Sequence, residues 1–136
     1  IIGMKQIKIT ENAPKAIFCD IDGTLIRHPN HDGKERLYEI PKPNHKAEAL
    51  PGTLTKLWEW EGNGYKIILT TGRKESMRST TEKQLKEIGI FWGHLIMGLG
   101  SGQRYLVNDL EPGTEANTAN AINLERDAGI GTIKEL

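Results

Sequence analysis

Apolar and polar positions along the chain follow two different periods, and the switches between them mark out elements. Lys15-Ala16-Ile17-Phe18-Cys19 is a short apolar run that ends on acid and glycine, the pattern of a buried parallel strand. From Thr53 to Glu61 the period becomes helical. Leu54, Leu57 and Trp58 line one face of this predicted helix, Thr53 is placed to cap its start, and Gly62 and Gly64 stop it. Tyr65 to Thr70, β-branched and aromatic, predicts a second buried strand. Residues 75–88 predict a second helix with Leu85 and Ile88 facing inward and Gly89 at the C-terminal cap. Residues 95–97 and 104–107 are the third and fourth strand candidates. Residues 121–124 are either a fifth strand or the tail of a helix begun near Glu115.

Strands alternating with helices predict an α/β fold around a parallel sheet. In such sheets ligands gather beyond the carboxyl ends of the strands, and Asp20, Thr71 and Asp109 each follow a predicted strand. One segment breaks the rhythm. Residues 27–51 hold four of the six prolines and three of the four histidines, with little periodicity. A loop of that length inside a domain is usually functional, so it reads as a flap near the site. With 136 residues the chain reads as one domain, 1–136. Met4 reads as the natural start, with Ile1 to Gly3 as added residues.

Charge and cysteine content narrow the setting. Eighteen basic and 18 acidic residues cancel, which argues against nucleic-acid or anionic-membrane binding through a basic surface. No apolar run reaches the roughly 20 residues a membrane helix needs. The lone cysteine, Cys19, forms no internal disulfide and suggests a reducing, cytoplasmic location.

The sharpest chemical signal is Asp20-Ile21-Asp22-Gly23-Thr24. Two carboxylates two residues apart repel one another, and a divalent cation offsets that cost while letting a phosphate approach. One carboxylate is then free to attack phosphorus while the other handles the leaving group's proton. Gly23 permits a sharp turn that aims backbone N–H groups at phosphate.

The run Ile17-Phe18-Cys19-Asp20-Ile21-Asp22-Gly23-Thr24-Leu25 resembles the first motif of the haloacid dehalogenase (HAD) superfamily, in its phosphatase branch. The resemblance implies a three-layer, Rossmann-like fold with a central parallel sheet. It implies Asp20 as the nucleophile that forms an aspartyl-phosphate, and Asp22 as general acid and base that also lends a backbone carbonyl to Mg2+. Ile67-Ile68-Leu69-Thr70-Thr71-Gly72-Arg73 resembles the second motif, which implies that Thr71, followed by Gly72, binds the phosphoryl group. Arg73 stands open between a substrate contact and a solvated turn residue. Leu106-Val107-Asn108-Asp109-Leu110 resembles the fourth motif, implying Asp109 as a metal ligand. Asn108, where many relatives carry a second acid, would ligate or orient water. For the third motif's basic residue Arg104 is preferred, with Lys83 and Lys86 as alternatives.

Neither slot where the superfamily inserts cap domains holds enough chain for one, so the resemblance implies a capless enzyme with an open site. A bulky substrate, or a second copy of the chain in a homo-oligomer, would complete that site. The expected activity is Mg2+-dependent hydrolysis of a small phosphorylated metabolite such as a sugar phosphate. The alternatives are phosphotransfer to an acceptor other than water and an inactive binding or scaffold protein. His28, His31 and His45 read as exposed or substrate-touching residues rather than zinc ligands, and Cys19 as a small core residue.

Overall fold

A computed structural model describes residues 13–29, 46–113 and 116–136. Strand β1 spans Ala16–Asp20, helix α1 Thr53–Gly62, strand β2 Lys66–Thr70, helix α2 Arg78–Glu87 and strand β3 His94–Ile96. Single 3-10 turns precede α2 at Glu75–Met77 and close the chain at Ile130–Thr132. The architecture is α/β, as expected: a parallel sheet in the order β1-β2-β3, flanked by helices, with no cap domain among the described residues.

The register aligns the carboxyl ends of the strands. Asp20 pairs with Thr70, and Thr70 with Ile96, so the residues that follow β1, β2 and β3 leave the sheet at one level. Beneath that edge Cys19, Ile67, Leu69 and Leu95 join Leu57 and Trp60 of α1, Leu85 of α2 and Ile130 of the last turn in a single core. Burying side chains of this size is what drives the layers together, at about 1.5–3 kcal/mol for each large apolar residue.

Several local expectations need correction. Thr53 does not cap α1. Gly52 holds that position with a left-handed φ of 80°, and Thr53 is the first helical residue, its hydroxyl donating to the Leu25 carbonyl at 2.7 Å. The inward face of α1 is Leu57 and Trp60, while Trp58 is 62% exposed and stacks, tilted, on Phe91. Among the described residues strand β1 is covered on one side only: Cys19 is buried, yet Phe18 is 52% exposed. Residues 104–107 form no strand, with Tyr105 83% and Val107 89% exposed, because no described strand lies beside them to take up their hydrogen bonds. Residues 121–124 likewise belong to neither strand nor helix. The second helix is as expected, entering through the 3-10 turn and ending before Gly89 at φ 88°.

No described helix is long and apolar enough to cross a membrane. The two ends of the 27–51 segment are pinned together. Ile26 bridges Ala49, Arg27 N–H donates to the Glu48 carbonyl, and Leu50 N–H donates to that of Leu25. Residues 30–45, with His31 and His45, lie outside the described residues.

Candidate active site

The turn after β1 is built on one buried carbonyl. The N–H groups of Thr24, Leu25 and Ile26 all converge on the oxygen of Ile21, whose side chain is fully buried, and Gly23 returns its own N–H to Ile26 at 2.7 Å. That path requires φ of +85° at Gly23, a conformation costly to any residue with a Cβ. The turn delivers Asp20 and Asp22 to the same edge. Thr24 donates its hydroxyl to Asp20 Oδ2 at 3.1 Å, a contact that motif reading did not anticipate.

Asp20 retains solvent contact, but protein packed around its carboxyl raises its proton affinity above the ordinary range. The Thr24 hydroxyl opposes that, the charge of Asp22 adds to it, and the Ile21 N–H and Arg104 oppose it. The nucleophile candidate thus stands among groups that partly offset the cost of its ionised form.

Asp22 is engaged differently. Arg73 Nε donates to Asp22 Oδ2 at 2.9 Å and Arg73 Nη2 to Oδ1 at 2.8 Å, a two-pronged ion pair. Arg73 is therefore not a solvated turn residue.

Thr71 is buried at the end of β2, its N–H donating to the Ile96 carbonyl at 3.0 Å. Its hydroxyl oxygen accepts the Arg73 N–H at 3.1 Å, closing a tight turn and leaving the O–H free to donate. Gly72 lies against the glycine-rich loop, where a Cβ would meet Gly100 O at 2.4 Å. Two further bonds lock that loop to the turn, from Gly98 N–H to Arg73 O and from Leu99 N–H to Thr71 O. Arg104 donates to the carbonyls of Gly102 and Gly100 at 2.7 and 2.8 Å, within electrostatic reach of Asp20. Lys83 is exposed on α2, and Lys86 sits over the Trp92 ring at 5.9 Å.

The fourth motif is not assembled with the others. Asn108 and Asp109 are exposed and engage Thr118, the amide donating to its carbonyl while its hydroxyl donates to the Asp109 carbonyl. Among the described residues no three His, Cys, Asp or Glu side chains are grouped to hold a metal ion. Asp20, whose charge Arg104 offsets only in part, is a hard oxygen donor that suits Mg2+, and among the described residues Asp109 is not grouped with Asp20 and Asp22.

A second group that motif reading did not find borders the Gly23 turn. Asp127 accepts the His28 N–H at 2.7 Å and donates its own N–H to Gly23 O at 2.8 Å. Arg126 passes over Gly23 so closely that a Cβ there would lie 3.2 Å from its Cγ. Burial and the Arg126 charge keep His28 less basic than usual, against the pull of Asp22, Asp127 and Asp20. Only a turn signal, Asp127-Ala128-Gly129, marks the segment in sequence.

The chain matches the family model described as HAD superfamily, subfamily IIIB (acid phosphatase), over residues 1–107. Among solved structures it is similar to a chain of the Pnkp1/Rnl/Hen1 complex, at 28% identity and a TM-score of 0.52, over 68% of this chain and 30% of that one. The Pnkp1/Rnl/Hen1 RNA repair complex gives 30% identity and a TM-score of 0.51, over 62% and 25%. The class C acid phosphatase from Bacillus anthracis with tungstate bound gives 27% and 0.52, over 65% and 43%. The chain therefore spans less than half the length of each of these proteins. No curated protein matches.

Proposed function

The chain belongs to the HAD superfamily, subfamily IIIB, and we propose that it hydrolyses phosphomonoesters through a covalent intermediate on Asp20. The observation that carries this reading is the β1 turn. It sets Asp20 at the sheet's carboxyl edge, hydrogen-bonded by Thr24, with Asp22 two residues on. In the first step an Asp20 carboxylate oxygen bonds to phosphorus as the ester P–O bond breaks, and Asp22 gives a proton to the departing oxygen. In the second, Asp22 takes a proton from water as that water's oxygen attacks phosphorus and the Asp20–phosphorus bond breaks.

The Thr71 O–H, free to donate, would hold a phosphoryl oxygen, and Arg104 would lend positive charge. Asp20 and the Asp22 carbonyl would hold Mg2+, with Asp109 or Asn108 brought up to complete the set, and the ion supplies neutralising charge when bound. The substrate would be a small phosphorylated metabolite such as a sugar phosphate, with a second copy of the chain completing the open site. The likeness to a chain of an RNA repair complex favours a second substrate, a phosphorylated nucleic-acid end.

The test compares wild type with Asp20→Asn on an aryl phosphate, a sugar phosphate and a phosphorylated oligonucleotide, with Mg2+ and with chelator. Mg2+-dependent turnover abolished in Asp20→Asn is expected, together with acid-stable phosphoryl mass on the peptide that carries Asp20. Turnover that survives Asp20→Asn would refute the mechanism.

A further inference from the structure

Arg73 is bound more thoroughly than a turn residue needs to be. Besides the two bonds to Asp22, its Nη1 donates to Thr81 Oγ1 at 3.1 Å and to Gln84 Oε1 at 3.0 Å. Thr81 and Gln84 lie three residues apart on α2, on one face, and both are buried. The Arg73 side chain keeps 10% of its surface in water and that of Asp22 keeps 18%. The backbone is fixed as well, with N–H on the Thr71 hydroxyl and C=O on the Gly98 N–H. A planar fork held on both sides transmits one orientation from a helix to a carboxylate.

That orientation bears on chemistry. A carboxylate has about four lone-pair directions. The two taken by Arg73 leave the remaining ones as the directions along which Asp22 can exchange a proton. We propose that Arg73 is a positioning residue for the phosphatase reaction, setting the direction in which Asp22 faces the leaving-group oxygen. The inference rests on the reading of Asp22 as the group that protonates that oxygen.

Such a role predicts dependence on the leaving group. An alkyl phosphate needs its departing oxygen protonated, whereas a nitrophenyl phosphate hardly does. General acid assistance is worth roughly 10²–10⁴-fold, and kcat/KM reports only the steps through ester cleavage, before Asp22 serves as base, so Arg73→Met should lower kcat/KM on a simple alkyl phosphate by roughly 10²-fold or more. On the nitrophenyl ester kcat/KM should fall by only about 3-fold. Arg73→Lys, which restores charge but no fork, should recover part of the alkyl activity. In an Asp22→Asn background the Arg73 change should add little.

Equal losses on both esters would make Arg73 a merely structural residue and overturn the proposal. A KM raised equally on both esters with unchanged kcat would make it a substrate contact, with the same consequence. Should Arg73→Met fail to fold, Gln84→Met loosens the same fork from the α2 side. It should show the same leaving-group bias at roughly 3–10-fold, a partial loss of the assistance, and a uniform loss would again overturn the proposal. Asp22→Asn alone separates the two levels of failure. If it shows no leaving-group bias, the acid role of Asp22 falls and this inference with it. If it shows bias and Arg73→Met does not, only this inference falls.

Discussion

Thr53 offers a direct test of how the first helix is anchored to the turn that carries Asp20 and Asp22. As a helix cap it would accept backbone N–H groups, and Asp would serve as well or better. In the structure it does the reverse, donating from a residue 1% exposed to the Leu25 carbonyl. That carbonyl also accepts the Leu50 N–H at 3.0 Å, so Thr53→Val leaves no orphaned group and should cost only about 1 kcal/mol, one net hydrogen bond. Thr53→Asp turns a carboxylate toward a carbonyl oxygen in a buried place. An uncompensated buried charge costs about 3–5 kcal/mol, and the helix N-terminus returns at most about 1 kcal/mol. The net loss should be about 2–4 kcal/mol. With a urea slope of about 1–3 kcal/mol/M, the unfolding midpoint should fall by about 1–4 M. A Thr53→Asp protein as stable as wild type would refute the donor role and restore the cap.

Two other outcomes follow from the site's geometry. Gly72→Ala sets a Cβ 2.4 Å from Gly100 O at a residue with no left-handed φ, so its cost is steric. It should destabilise by about 1–3 kcal/mol and lower turnover, checked by urea unfolding and kcat; unchanged stability would contradict the close approach. The raised proton affinity of Asp20 makes its ionised form a burden on the fold. Asp20→Asn should therefore match wild type below the ordinary carboxyl value of 3.8. It should gain relative stability as pH rises from there through the folded-state value, and hold the gain above it. Paired melts across that range check this, and a pH-independent difference would sink it.

What could be read from sequence was whatever is decided within a few residues. The β1 and β2 runs, the helix over 78–87 and the Gly89 terminus each follow from local period and punctuation, and so does the acid pair at the strand end. Where partners decide, reading failed. Tyr105-Leu106-Val107 has strand-like composition, but a strand exists only through a neighbour, and the structure gives it none among the described residues. Trp58 and Trp60 are equally apolar by type, and only the packing against β2 and the final turn selects Trp60. Arg73 and Asp22 are 51 residues apart, His28 and Asp127 99, and no local pattern announces either pair.

Cys19 has an implication of its own. Burial, with a smaller push from Asp20, raises its thiol pKa to about 12, so almost none of it is thiolate in neutral water. Alkylating agents and peroxide act on thiolate, and they are denied one here although the neighbouring residue is the proposed nucleophile. Modification has to wait until the core packed on that face of β1 opens and wets the sulfur. The chain thus carries its own clock: the rate at which Cys19 succumbs to a thiol reagent counts the openings of the core beneath the edge that carries Asp20.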